Sequence, residues 1–522
     1  MVLGFTHLLG LFGVLQAISA APATSCQLQW GGVTIDGHLG DNNVCRYNIK
    51  YGSAERWGES QATASPADGS GLPPACPQGG FTYFTGNVPQ SEDCLHMLAY
   101  VPQNADANTP IFTWLHGGSF RFGGASMSGI DGSALAAKGQ VVFVPQYRLG
   151  MLGMMPPASS STANDPNLAL RDVVLALKSI KDNIGSKGNK NAVTLGGHSS
   201  GALMVRTLWS MPSAAGLFHR SMLQSDPSGQ GLSTVSQYQA VRNKVYGYAS
   251  LKDKSLAELK SANPSVFEEA INTLLSSLPY DAWLDSPNLS INPVYGTASL
   301  PSDPTAALVS NKGQLAVNPS NMPLFVSTTK DEAAYLVSGY WPNPIPQGYV
   351  MGAGNKGAIE YNSVMQGRCA NGFDLRTQDT YWRDSAPDTV RRAVSLAVTD
   401  GGVRCSSRAV ASGWAQKGGQ AFVAEFTKGA PFLYSQSSGS SFCDDKVCHG
   451  SSHPAGADVQ ANEVADIWTK FIHGQSMGWN AYSANAKQQN TNIKAIGGGS
   501  VANCPKSGSN AFWGTKCTWN WQ

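Results

Sequence analysis

Residues 194–204 read Thr-Leu-Gly-Gly-His-Ser-Ser-Gly-Ala-Leu-Met, "TLGGHSSGALM". The run "AVTL" at 192–195 has strand character, and "ALMVRTLWSM" at 202–211 is apolar at helical spacing. A strand that passes straight into a helix through Gly-x-Ser-x-Gly fits a nucleophile elbow, in which the central serine is pushed out of a sharp turn. Of the two adjacent serines, Ser199 alone lies two residues from a glycine on both sides, Gly197 and Gly201. Ser199 is therefore the candidate nucleophile. Ser200 contributes its backbone N–H, aimed at a developing oxyanion.

Working outward, "TPIFTWLHGG", "QVVFVPQYRLG", the helical "PNLALRDVVLALKSIKDNI" and "NAVTLGGHSS" alternate short β-rich runs with a helix. This rhythm predicts a mostly parallel central sheet flanked by helices, an α/β fold. Leu168, Val173, Leu177 and Ile180 recur near helical spacing and predict the face that packs on the sheet. Further on, "SLAELKSANPSVFEEAINTLLSSL" reads as two helices broken near Pro264, "MPLFVST" as a buried strand, and "ANEVADIWTKFIHG" as an amphipathic helix. The first strand ends in His116-Gly117-Gly118-Ser119, a glycine-rich turn of the kind that exposes N–H donors to a tetrahedral intermediate.

Lys plus Arg number 36 against 34 Asp plus Glu, and no stretch gathers a basic footprint, which excludes nucleic acid as the expected partner. A small neutral or lipid-like molecule fits better. "MVLGFTHLLGLFGVLQAISA" resembles a secretory leader, so residues 1–20 are expected to be removed and 21–522 to form one secreted domain with no stable membrane span. Ten cysteines follow, without the recurring Cys-x-x-Cys and His spacing of a zinc site. Disulfides are expected in their place, with no metal. The simplest connectivity pairs neighbours: Cys26 with Cys45, Cys76 with Cys94, Cys369 with Cys405, Cys443 with Cys448, and Cys504 with Cys517. Asn288-Leu289-Ser290 is a glycosylation sequon.

Several segments together resemble the type B carboxylesterase and lipase family, which includes fungal lipases and cholinesterases. They are "SEDCLHMLAYVP", "HGGSF", "QYRLGMLG", "TLGGHSSGALM", "STTKDEAAYL" and "VCHG", and they occur in the order that family uses. The resemblance implies an α/β-hydrolase fold with helical insertions forming a cap, ester hydrolysis without a cofactor, and a Cys76–Cys94 bridge. It also implies a triad of Ser199, Glu332 and His449, with oxyanion donors from Gly118, Ser119 and Ser200. The residue types suit the chemistry: imidazole moves the serine proton to the leaving alcohol, and a buried carboxylate orients the ring.

Residue order narrows the base independently. Only His219, His449, His453 and His473 follow Ser199, and His219 precedes the acid, against the order Ser, acid, His. His473, near a helix end, suits a surface or capping role. His449 is preferred to His453, since it follows Cys448 in the "VCHG" match and a Cys443–Cys448 bridge would pin its backbone. Asp331 is the rival to Glu332, with helix capping near Ala333 as its other role. The sequence departs from the family at His198, where Glu is usual, at Ser119, and in "QSDPSG"; His198 either tunes the pocket or packs behind the elbow, and the structural role is the one expected. A transacylase with the same triad, and a binding module that keeps the elbow as scaffold, are the competing functions.

Overall fold

Every residue of Ile111–Leu115, Val141–Pro145 and Val193–His198 is buried. Strands covered by helices on both faces carry continuous apolar runs of this kind. The computed structural model describes residues 26–504 apart from 64–68, 70, 80–81, 128, 277–290, 341–387, 429–447, 450–458 and 486–491. Within these, a ten-stranded sheet forms the centre. In chain order its strands are β1 His38–Leu39, β2 Val44–Lys50, β3 His96–Pro102, β4 Ile111–Leu115 and β5 Val141–Pro145. There follow β6 Val193–His198, β7 Arg220–Gln224, β8 Leu324–Thr329, β9 Ala421–Phe426 and β10 Ile493–Ile496. Their spatial order is β10-β9-β8-β7-β6-β4-β5-β3-β2-β1. The strands from β4 to β10 pair in parallel, and β1 to β3 join antiparallel at one edge. This is the mostly parallel sheet expected, and β6 lies inside it with β4 and β7 as neighbours.

Alternation along β4 divides the core into two layers. Ile111 and Leu115 join the cluster that contains Leu168, Val173, Leu177 and Ile180 of helix α1 (Leu168–Asn183). Phe112 and Trp114 point the other way, into a cluster with Trp468 and Phe471 of a late helix, Val459–Ile472. Successive side chains on a strand face opposite sides, so one strand feeds both layers. The four α1 residues expected on the sheet face are each 0–1% exposed. Burial on this scale contributes about 1.5–3 kcal/mol per side chain. The break near Pro264 is also present, between Leu256–Ser261 and Ser265–Ser276.

Two bridges follow the neighbour rule, Cys26–Cys45 and Cys76–Cys94. A third overturns it: Cys405 pairs with Cys504, and so neither with Cys369 nor, for Cys504, with Cys517. Tertiary packing explains the change. Cys405 opens the helix Cys405–Gln416, which lies on β8 and β9. The segment after β10 returns to that helix, where Ala502 N–H donates to Glu425 Oε1 at 2.8 Å and Arg408 Nη2 donates to the Ala502 carbonyl at 2.9 Å. Cys448 is disulfide-bonded to a partner outside the described residues. Residues 1–25, Asn288, Cys369, Cys443, His453 and Cys517 also lie outside them.

Candidate active site

The carboxyl ends of β4, β6 and β8 carry the candidate residues onto one edge of the sheet, the edge where open parallel sheets bind ligands. At the end of β6 the chain turns sharply: Ser199 has φ 57° and ψ −125°, and helix α2 (Ser200–Leu208) begins at the next residue. A non-glycine residue in this region is strained by roughly 1–3 kcal/mol and persists only where surrounding contacts enforce it. Here the Ser199 N–H donates to the Gln224 carbonyl of β7 at 2.9 Å, and the Ser199 carbonyl accepts from Leu203 N–H at 3.0 Å.

The two flanking glycines have a steric cause. A methyl group on Gly197 would lie 2.5 Å from the Gly201 backbone, and one on Gly201 would lie 2.2 Å from the Leu115 carbonyl oxygen. Backbone does not yield at such distances. Helix α2 can therefore press against both β6 and the end of β4 only with hydrogen at both positions.

The turn after β4 lies against the elbow, since a methyl on Gly117 would sit 3.0 Å from Ser199 Cβ. Gly118, Ser119 and Phe120 have φ of 120°, 56° and 59°. Among the described residues, the N–H groups of Gly118, Ser119 and Ser200 have no protein acceptor. Ser200 N–H also opens α2, where the helix dipole favours negative charge. Beneath the turn, His116 stacks on Tyr147 with ring centroids 4.4 Å apart, and the Tyr147 hydroxyl donates to the His116 carbonyl at 2.6 Å. Outside it, Arg121 pairs with Glu268 and donates to Asn272 Oδ1 at 2.6 Å, both on α3 (Ser265–Ser276). Reading the sequence missed these supports. Tyr147 stands in the "QYRLG" motif and could have been suspected, whereas nothing local ties Arg121 to Glu268.

Glu332 follows β8 and is 2% exposed. Its Oε1 accepts from Thr329 N–H at 2.7 Å, and its Oε2 lies 2.7 Å from His449 Nδ1. Asp331 makes no such contact with the imidazole; its backbone pairs with Cys448, and its carbonyl accepts from Ala334 N–H at the start of the helix Ala334–Tyr340. The acid loop is braced from behind by a π-helical turn, Thr399–Arg404. Thr399 Oγ1 accepts from Ala333 N–H at 3.0 Å, while Arg404 donates to the Lys330 carbonyl and pairs with Asp400 and Glu425.

The His449 ring in turn lies 4.5 Å from the ring of His198, centroid to centroid. Glu332, His449 and the elbow thus come together. His219 is at the amino end of β7, where its Nδ1 accepts from Val193 N–H at 3.3 Å, on the edge opposite Ser199. His473, one residue past its helix, contacts Gln140 Oε1 at 3.0 Å through Nε2. Asp226, from the departing "QSDPSG" segment, pairs with Arg206 of α2 at 2.6 Å, both fully buried. Burial pushes the Asp226 carboxyl up, and Arg206 opposes that shift. Among the described residues no group of His, Cys, Asp and Glu is arranged to hold a metal ion, and no helix is long and apolar enough to cross a membrane.

A solved structure titled PNB esterase superposes with a TM-score of 0.68 over 88% of this chain and 93% of its own, at 21% identity, a likeness of fold. The para-nitrobenzyl esterase of Bacillus subtilis (strain 168) is 31% identical over 247 residues, 47% of this chain and 48% of that protein. Acetylcholinesterase of Bungarus fasciatus is 31% identical over 287 residues, 52% of this chain and 45% of that protein. The chain spans about half the length of these curated relatives. The model of the carboxylesterase family matches residues 52–495. With that match spanning most of its length and an α/β-hydrolase sheet at its centre, the chain belongs to the carboxylesterase family.

Proposed function

We propose that the protein is a carboxylic ester hydrolase that works through an acyl-enzyme, with Ser199 as nucleophile, His449 as base and Glu332 as the carboxylate behind it. The observation that carries this reading is the buried Glu332 carboxylate. One of its oxygens is held by Thr329 N–H and the other faces His449 Nδ1, while the His449 ring rests against the residue preceding Ser199. A proton on Nδ1, shared with the carboxylate, leaves Nε2 as the acceptor for the serine proton. Ser199 Oγ adds to the ester carbonyl carbon, and the displaced π electrons settle on oxygen, facing the N–H groups of Gly118, Ser119 and Ser200. Collapse of that adduct expels the alkoxide, which takes the proton from imidazolium. Water, deprotonated by His449, then releases the carboxylic acid and restores Ser199.

The relatives with esterase names support the same chemistry. The three described bridges, Cys26–Cys45, Cys76–Cys94 and Cys405–Cys504, suit an oxidising compartment and, with the leader-like residues 1–20, support secretion; the secreted part is read as one domain, 21–522, with the sequon at Asn288 as its glycosylation site. The substrate class is a neutral small or lipid-like ester.

The test is turnover of p-nitrophenyl esters of graded acyl length by the purified protein, beside Ser199→Ala. Hydrolysis by the wild type, absent in Ser199→Ala, is expected. No turnover on any ester would return the chain to a non-catalytic binding role, and an ester product formed with added alcohol in place of free acid would make it a transacylase.

A further inference from the structure

Glu332 holds His449 at one atom, Nδ1. With the ring tethered at Cβ and held at Nδ1, a tilt about the line through those two atoms remains, and the His449 side chain is 23% exposed. A second contact is needed on the ring face. His198 supplies it: its ring centroid lies 4.5 Å from that of His449, with the planes inclined at 41°. His198 is itself immobilised. It is buried, it is the last residue of β6, and it stands in register with Gln224 of β7. It also abuts the glycine turn, where a methyl on Gly117 would lie 2.9 Å from the His198 carbonyl oxygen and 3.1 Å from its Nδ1. His198 thus lies against both the His449 ring and the donor turn.

We propose that His198 is a positioning residue, whose flat ring backs the face of His449 and holds its plane toward Ser199 without touching the substrate. This rests on the esterase reading above, in which His449 is the base. The step served is proton transfer from Ser199 Oγ to His449 Nε2, whose rate falls steeply with small displacements of either atom. Such a residue acts on kcat and leaves substrate binding largely unchanged.

The experiment compares His198→Ala, His198→Phe and His198→Asn on one activated ester, with kcat and KM measured separately and with Ser199→Ala as control. His198→Ala should lose about 10- to 100-fold in kcat, by analogy with the loss when the supporting partner of a metal-binding histidine is removed, with KM within about threefold. His198→Phe keeps a flat ring without hydrogen-bonding capacity and should recover most of the loss. His198→Asn keeps polar atoms without the ring and should not. If the alanine variant fails to fold, the Phe and Asn pair still decides. Recovery by Asn and not Phe, or kcat in His198→Ala within about twofold of wild type, overturns the proposal while leaving the esterase reading intact. A wild type without turnover overturns both.

Discussion

His449 Nδ1 lies 2.7 Å from Glu332 Oε2, joining residues 117 positions apart in the chain. The other carboxylate oxygen already accepts from Thr329 N–H. Glu332→Gln cannot satisfy both contacts, since its NH2 group must face either a backbone donor or the imidazole, where it would enforce the wrong tautomer. Turnover should fall by about four orders of magnitude, as when the corresponding carboxylate becomes an amide in a serine protease triad. Asp331→Asn should stay within about tenfold, because that side chain does not hold the imidazole. Steady-state kinetics on one ester rank the two, and the reverse order would assign the acid role to Asp331.

Ser199 at φ 57° and ψ −125° stores backbone strain that glycine would relieve. Ser199→Gly and Ser199→Ala should both be inactive, yet the glycine variant should be more stable than the alanine variant by about 1 kcal/mol, in spite of its greater unfolded-state entropy. Gly201→Ala should lose about 3 kcal/mol or more, since its methyl meets the Leu115 and His116 carbonyl oxygens at 2.2 and 2.5 Å. Urea unfolding measures all three, and an unperturbed Gly201→Ala would contradict the packing of α2 on β4.

Burial holds His116 at a pKa of about 4, with a hydrogen bond to the Gly117 carbonyl opposing the shift, and burial likewise lowers His96 to about 4. Both are neutral in the folded protein at pH 7, whereas in the unfolded chain each takes a proton below about pH 6.5. The unfolded state thus binds more protons between those values. Stability present at neutral pH should be lost as pH falls from about 6.5 toward 4, by about 3 kcal/mol for His116 alone. Urea midpoints from pH 7.5 to 4.5 follow the loss, and His116→Asn should make the profile shallower.

Cys405–Cys504 closes a separation of 99 residues. Cross-linking so long a loop stabilises by about 4 to 5 kcal/mol in the chain-entropy model. Cys504→Ser should lose stability on that scale. Non-reducing peptide mapping should recover a Cys405–Cys504 peptide; a Cys369–Cys405 peptide would restore neighbour pairing.

The fold class and the elbow were legible in the sequence because both are written in short-range terms. Buried parallel strands need continuous apolar runs, α1 needs its apolar face, and a strand-to-helix turn of this sharpness needs Gly197 and Gly201. The choice of Ser199 over Ser200 follows from the same spacing. What lies between distant segments had no such record. Glu332 and Asp331 were adjacent candidates until the turn after β8 brought the Glu332 carboxylate to His449 and paired the Asp331 backbone with Cys448. Cys405 had two neighbours in sequence and bonded to neither, because the chain after β10 returns to the helix that Cys405 begins. The contact of His198 with His449, the Arg121–Glu268 pair and the bracing of the acid loop by Thr399 and Arg404 have the same origin. Each joins groups whose approach depends on how strands order across the sheet, and strand order is set by the packing of the whole core, which no local pattern of residues encodes.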